Sequence, residues 1–480
     1  MIKRVLNNKV FNYVFSRYAI YALQFINTLM LAKLLSPYNF GIWSFTQLII
    51  MYFSHIDFGI PNSFNALSSI YKKNTKFVTF NFNAALLLIM LICVLVIGFF
   101  VVTSLLDLKI GVKYKFDNYS IYVLIIILLS YFNKLLMFLF RVYSRFKEIT
   151  FFQVSVPITI FGTYIFFQED LVHHLLVGMI FANIASLLLF LYNSPLKIKL
   201  NFSKKLLTQI QKSGLYFFIY NASFYFILLT TRGVVGYFYT VEEFGLFNFA
   251  FSLANIIELI LSAFVFLIFP KMINSLAHSD DETAFNSINI MQSNYTILVS
   301  LMSYIAIILF PIFIIFFPDY QNSVMAFNAV LLTKLIYTNC FGAPVLLMAR
   351  KKERKIAGVA FFALVINMLA TLSIVYFFNM SYYYVILVTG IAYILYVLII
   401  NRMLFKELNS YNGFLNLLRY TFPIKQSLPL FGAFLFSLFD VHAVFYILLL
   451  AIFIVLNFSS VLKLRKGIYQ VLHNPTIVDI

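Results

Sequence analysis

Ser36-Pro-Tyr-Asn-Phe-Gly-Ile-Trp-Ser-Phe45 recurs in degenerate form as Thr240-Val-Glu-Glu-Phe-Gly-Leu-Phe-Asn-Phe249. The two Phe-Gly pairs align at an offset of 204 residues. Arg145-Phe-Lys-Glu and Lys351-Lys-Glu-Arg align at nearly the same offset. Each copy of the first stretch opens a predicted helix, and six predicted helices separate the copies, so both have the same orientation across a membrane. This is a parallel repeat: two six-helix lobes related by an axis along the membrane normal. Transporters built from such repeats bind substrate between them, near the midplane.

The membrane setting follows from composition. Of 480 residues, 62% are hydrophobic and only 11% charged, where a soluble domain is about a quarter charged. Apolar runs such as Ala84–Thr103, Ile121–Phe140 and Met302–Phe317 recur from end to end, and about 20 residues suffice to cross the hydrocarbon as a helix. The fold class expected is an all-α integral membrane protein of about fourteen transmembrane helices. Their predicted positions include 11–35, 40–69, 119–142, 213–238, 244–270, 290–317, 323–349 and 420–439. Residues 1–196 make the N-lobe (helices 1–6), 197–412 the C-lobe (helices 7–12), around a central cavity. Residues 413–480 add a C-terminal hairpin, helices 13 and 14, and a tail. Helix 13 is the weakest, because Pro423, Lys425 and Pro429 interrupt it. The basic start Met1-Ile2-Lys3-Arg4 precedes an apolar run too long for a removable signal peptide, so it reads as an anchor that stays. Cys93 and Cys340 both lie in apolar runs and suggest neither a disulfide framework nor a metal site.

Lysine and arginine set the orientation. With the N-terminus in the cytoplasm, only Lys109, Lys113 and Lys115 of the 35 basic residues fall in outer segments. Clusters such as Lys197/Lys199/Lys204/Lys205 and Arg350/Lys351/Lys352/Arg354/Lys355 fall inside. Both termini are then cytoplasmic. The same distribution explains the net charge of +18 without a nucleic-acid partner.

Five basic residues remain within predicted spans: Arg17, Lys33, Lys134, Arg232 and Lys334. A charge at a helix centre costs about 3 kcal/mol. Lys33 is near a helix end and can snorkel outward. The others form a staircase: Arg17 in the cytoplasmic third, Lys134 and Lys334 near the middle, Arg232 toward the outer side. One reading is a ladder of sites for a phosphate or acidic-sugar head group, since Arg suits bidentate phosphate contact and Lys acts as a point charge. The other is structural ion pairing with Asp57 and Glu258, which are too few to neutralise all five. These two carboxylates are also candidates for carrying a coupling proton or sodium ion. Polar residues at helical spacing run beside the bases. They include Tyr21 and Gln24 on helix 1, Gln47 on helix 2, Asn221 and Tyr225 on helix 7, and Asn248 and Asn255 on helix 8. A polar face cannot look at lipid, so these stripes either line a shared aqueous cavity or hydrogen-bond between packed helices.

No Walker-type phosphate loop, nucleophile elbow or HExxH is present. His173 and His174 are adjacent, so on a helix they point in different directions and make a poor metal pair. The outer loops are short, the longest about 107–118, which argues against a membrane polysaccharide polymerase or ligase. A multidrug exporter of cations would want acids in its cavity. A structural scaffold would leave the intramembrane charges unexplained.

Several stretches resemble the O-antigen flippases of the polysaccharide-export branch of the multidrug/oligosaccharidyl-lipid/polysaccharide superfamily. Leu31-Ala-Lys-Leu-Leu-Ser-Pro-Tyr-Asn-Phe-Gly-Ile-Trp-Ser44 resembles that family's helix end, turn and Tyr-Gly or Phe-Gly opening. Asp57-Phe-Gly-Ile resembles its Asp-Leu-Gly-Leu. Thr231-Arg232-Gly-Val-Val-Gly-Tyr-Phe, followed by Phe244-Gly-Leu-Phe, resembles its Asp-Arg motif and Val-Gly-Leu-Tyr. Thr231 replaces the acid that usually precedes this arginine, Lys33 replaces an arginine, and Tyr382–Tyr384 occupy a usually Gly/Ala-rich start. The resemblance implies a non-enzymatic flippase in a bacterial inner membrane. It would move undecaprenyl-pyrophosphate-linked oligosaccharide repeat units by alternating access, as a monomer and without a cofactor. Its partners would be membrane lipids, a polysaccharide polymerase and a chain-length regulator. Lipid II, also a pyrophosphate lipid, remains an alternative cargo.

Overall fold

The computed structural model describes residues 9–196, 203–378, 380–409, 413–439 and 443–464, with the side chains of Asn221, Glu258 and 260–275 among those left out. Helices account for all regular structure among the described residues. In chain order they are α1 Lys9–Leu34, α2 Pro37–His55, α3 Ile60–Ile70, α4 Thr75–Leu105, α5 Ser120–Val142, α6 Phe146–Phe166, α7 Leu171–Tyr192, α8 Lys204–Phe238 and α9 Val241–His278. Then follow α10 Asp281–Phe313, α11 Val324–Thr338, α12 Ala343–Ala349, α13 Glu353–Ser373, α14 Tyr382–Glu407, α15 Phe414–Thr421, α16 Ile424–Leu438 and α17 Ala443–Leu456. Every predicted span is occupied by helix. Among the described residues, seven helices are long and apolar enough to cross a membrane, or up to nine if each sharply bent pair counts as one span. The architecture is that of an all-α membrane protein.

The differences from expectation are local and have causes. The span predicted at 40–69 is two helices, α2 and α3. Asp57 Oδ1 accepts the Gly59 N–H at 2.9 Å, Phe58 and Gly59 are left-handed (φ 50° and 65°), and Pro61 starts the next helix. Side chain, glycine and proline together end one helix and begin another. The span at 323–349 breaks in the same way into α11 and α12, bent by 43°, at Gly342 (φ 89°) and Pro344. The span at 420–439 divides at Pro423. Helix α8 begins at Lys204, nine residues before the predicted span at 213–238.

The chain divides into two compact units: Met1–Ala222 with Thr240–Gly245, and Ser223–Tyr239 with Leu246–Ile480. In the first, α7 packs on α6 and α5, and α1 on α6. Lipid gives no hydrophobic drive between helices, so polar side chains act as glue. Asn27 donates to Pro157 O at 2.8 Å, Asn133 to Asn183 Oδ1 at 3.1 Å, and Ser155 pairs with Ser186 at 3.0 Å. In the second unit, α14 packs on α11 and α13, and α10 on α11 and α17. Thr333 donates to Ile386 O at 3.1 Å across the α11–α14 contact.

Both copies of the repeated stretch are capped helix starts. Ser36 Oγ accepts the Asn39 N–H that opens α2. Before α9, Thr240 and Glu243 form a reciprocal box: Thr240 N–H donates to Glu243 Oε2 at 2.9 Å and Glu243 N–H to Thr240 Oγ1 at 3.2 Å.

Candidate functional site

The first unit places a charged pair at its helix break. Asp57 is nearly buried, and its Oδ2 lies 2.6 Å from Lys134 Nζ on α5. Lys134 also donates to Ser54 O at 3.2 Å, and Tyr131, one turn earlier, donates to Phe53 O at 2.5 Å. Where α2 ends, Ser54 O thus takes an ammonium, and Phe53 O takes a phenol beside the Ile56 N–H, in line with the need to satisfy backbone polar groups away from water. Of the two readings of Lys134, ion pairing is the contact its geometry makes.

The second unit gathers a different set. Asn248, Phe251 and Asn255 lie at i, i+3 and i+7 on one face of α9. Arg232, 6% exposed on α8, donates from Nε to Asn248 Oδ1 at 2.9 Å. Its guanidinium carbon stands 4.9 Å from the Phe251 ring centroid. Lys334 Nζ on α11 stands 5.2 Å from the same ring and donates to Asn255 Oδ1. Two cations therefore converge on one aromatic ring, with amide oxygens holding their heads, an arrangement favoured by the ring quadrupole and strengthened by desolvation. Phe251 was not a sequence-level candidate; the signal was its place one turn from Asn248 and Asn255.

Beside Arg232, Thr231 is fully buried. Its hydroxyl meets Thr389 Oγ1 on α14 at 2.8 Å and accepts from Asn367 Nδ2 on α13 at 3.2 Å. Asn367 also donates to Ile227 O at 2.8 Å. Thr231 thus ties the Arg232 helix to two neighbours through one hydroxyl and one amide, both neutral.

The remaining candidates are placed as follows. Arg17 is half-buried, its guanidinium 5.6 Å from the Tyr21 ring one turn on. Gln24 is exposed on the same helix, and Lys33 is exposed in its last turn. Gln47 Nε2 reaches Met179 Sδ at 3.5 Å. Tyr225 is 53% exposed. The side chains of Asn221 and Glu258 lie outside the described residues. His173 packs edge-on to Tyr122 and His174 stacks on Phe167. No three His, Cys, Asp or Glu side chains gather as a metal site among the described residues.

Known structures share this fold. The lipid II flippase MurJ in an inward closed conformation superposes with a TM-score of 0.63 at 15% identity, over 95% of this chain and 99% of that one. An inward-facing multidrug resistance MATE family transporter of the MOP superfamily gives 0.62 at 11% identity, over 83% and 100%. A MOP superfamily transporter from Pyrococcus furiosus, described as having a binding pocket of reverse polarity, gives 0.55 at 11% identity, over 84% and 95%. At such identities the likeness is one of fold. No curated protein matches the chain. A family of polysaccharide biosynthesis proteins matches residues 6–276, more than half of the sequence, and the chain belongs to that family.

Proposed function

We propose that this protein is a flippase for undecaprenyl-pyrophosphate-linked oligosaccharide repeat units, of O-antigen or a related surface polysaccharide, in a bacterial inner membrane. The observation that carries the reading is the convergence of Arg232 and Lys334 on Phe251, inside a fold shared with a lipid II flippase and MOP transporters. A pyrophosphate suits Arg as a forked donor and Lys as a point charge. Cargo sugars suit the ring and the amides of α9, while the lipid tail stays in the bilayer. Arg17 and Lys134 supply further positive charge along the path, and Tyr21, Gln24, Gln47, Asn221 and Tyr225 polar lining. The lobes rock in alternating access, so the head group meets the cytoplasmic side first and the outer side second. No bond is made or broken. Asp57 and Glu258 are the carboxylates on which a proton or sodium ion would act as driver. The chain works as a monomer with both termini in the cytoplasm, and hands its product to a polysaccharide polymerase and chain-length regulator.

A clean deletion in the native host tests this. Surface repeats should vanish while complete repeat units accumulate on the inner-leaflet carrier. A surface bearing single repeats would point to a polymerase, and an unchanged surface would sink the proposal. Lipid II is the second reading, favoured by the near-complete mutual coverage with MurJ. In that case the accumulating lipid carries the cell-wall precursor instead.

A further inference from the structure

We propose that the exposed face of α13 is a docking site for one anionic phospholipid, its phosphate held by Arg354 and Lys355 and its chains laid along the apolar residues beyond them. The site lies entirely within the second unit and does not depend on the cargo.

Charge is sorted at this end of the unit. The chain turns from α12 into α13 at Lys351, whose backbone is left-handed (φ 59°). The residues on either side of it reach acids. Arg350 Nη2 lies 2.6 Å from Asp281 Oδ1, and its Nη1 donates to Glu407 O at 3.1 Å. Lys352 Nζ lies 3.3 Å from Glu407 Oε2. Lys351, Arg354 and Lys355 are exposed and make no ion pair among the described residues. Glu353 is exposed too, but one turn on from it lie Ile356 and Ala357, which are buried, so it heads a different line of the helix. Three cations beside one acid leave this edge positive.

Arg354 and Lys355 head an unbroken exposed line. Steps of three and four residues lead from them to Gly358, then to Phe361 and Phe362, then to Val365 and Leu369, all exposed. The opposite line, with Ile356, Ala360, Ala363 and Asn367, is buried, and α13 packs on α14. The span Glu353–Phe378 is 22% buried, against 28% to 56% for the six other candidate spans among the described residues, so it leaves the largest share of its surface to lipid. Between the cations and the apolar line, a Cβ on Gly358 would meet nothing within 4 Å. No close helix approach requires glycine there, and in mid-helix glycine costs stability. What it provides is a recess one turn from the cations, at the depth of a lipid's glycerol and ester groups. Positive head, recess and apolar strip follow one another in the order of an anionic phospholipid. Lys and Arg near the membrane surface attract acidic lipids, and Arg grips phosphate with forked donors. A second copy of the chain in the same membrane orientation would instead set like charges against each other on this face.

Native mass spectrometry of the full chain released from detergent micelles tests the site, with phosphatidylglycerol and phosphatidylcholine as probes. The wild type should retain one phosphatidylglycerol at about tenfold lower lipid concentration than phosphatidylcholine, and Arg354→Gln with Lys355→Gln should abolish that preference. Gly358→Leu changes no charge and fills the recess; it should weaken phosphatidylglycerol binding about fivefold or more. Lys73→Gln with Lys76→Gln removes an equally exposed basic pair of the first unit and should change nothing. Equal retention of both lipids by the wild type overturns the site. So does a loss at Lys73 and Lys76 as large as that at Arg354 and Lys355, which would reduce the attraction to net charge. Full phosphatidylglycerol binding by Gly358→Leu overturns the recess and the proposal with it. A dimer that Gly358→Leu abolishes would put a second copy on this face in place of the lipid.

Discussion

Each unit breaks one helix at the same four-residue pattern, Phe58-Gly59-Ile60-Pro61 in the first and Phe341-Gly342-Ala343-Pro344 in the second, yet the released carbonyls are satisfied by different chemistry. In the first unit Ser54 O takes the Lys134 ammonium, which Asp57 holds in place. In the second, Asn339 O takes two neutral amides, Gln292 Nε2 at 2.6 Å and Asn401 Nδ2 at 2.9 Å. The second unit's cations, Arg232 and Lys334, sit instead on Asn248, Asn255 and the ring of Phe251. The backbone problem is common to both, since a carbonyl without a donor in hydrocarbon costs several kcal/mol. One break is held by an ion pair and the other by neutral amides.

The largest effect is expected in the second unit. Arg232→Ala should reduce surface polysaccharide about tenfold or more, the scale of losing charge-assisted hydrogen bonds, with normal abundance in the membrane. Lys334→Ala should act in the same direction. Normal export by both variants would make these cations structural and erase the contrast.

Next comes the first unit's pair, where stability is the readout. Asp57→Ala strands a lysine. Breaking a buried pair costs about 3–5 kcal/mol, and here about 1–3 is expected, because Lys134 is 31% exposed and water screens it. Thermal unfolding in nanodiscs should show the loss, and Asp57→Ala with Lys134→Met should recover much of it. If the double variant is no more stable than the single one, the pair is not what holds the break.

Gln292→Ala tests the amide solution. Asn401 still donates to Asn339 O, so a loss of only about 1 kcal/mol is expected in the same melt. A loss as large as that of Asp57→Ala would mean the two breaks do not differ in kind.

The smallest effect is at Asp280, which caps α10 from outside the membrane. Its carboxylate accepts the Thr283 N–H at 3.2 Å, and hydrogen bonds from Thr283 hold its carboxyl below the usual carboxylate range. A depressed value means the cap contributes fully above the unfolded carboxyl's range and fades as pH falls through the folded one. Asp280→Ala should speed amide exchange in the first turn of α10 at neutral pH and make no difference at acid pH. A pH-independent effect would show that charge has no part in the cap.

Much of this was legible in the residues. The apolar runs set the helix segments and the quoted motifs the family resemblance, because hydrocarbon thickness and backbone satisfaction leave a chain few ways to cross. The helix breaks at Phe58-Gly59-Ile60-Pro61 and Phe341-Gly342-Ala343-Pro344 were missed, because the apolar periodicity runs straight through them. What only packing decided is which polar side chains meet: Lys134 on Asp57, Thr231 on Thr389, and Arg232 and Lys334 on one phenylalanine. Spacing along a helix fixes the face a residue shares, but its partner comes from a helix remote in sequence. A lysine in a span reads the same whether its partner is a carboxylate, an amide or a ring, and the tertiary structure alone shows which partner it has.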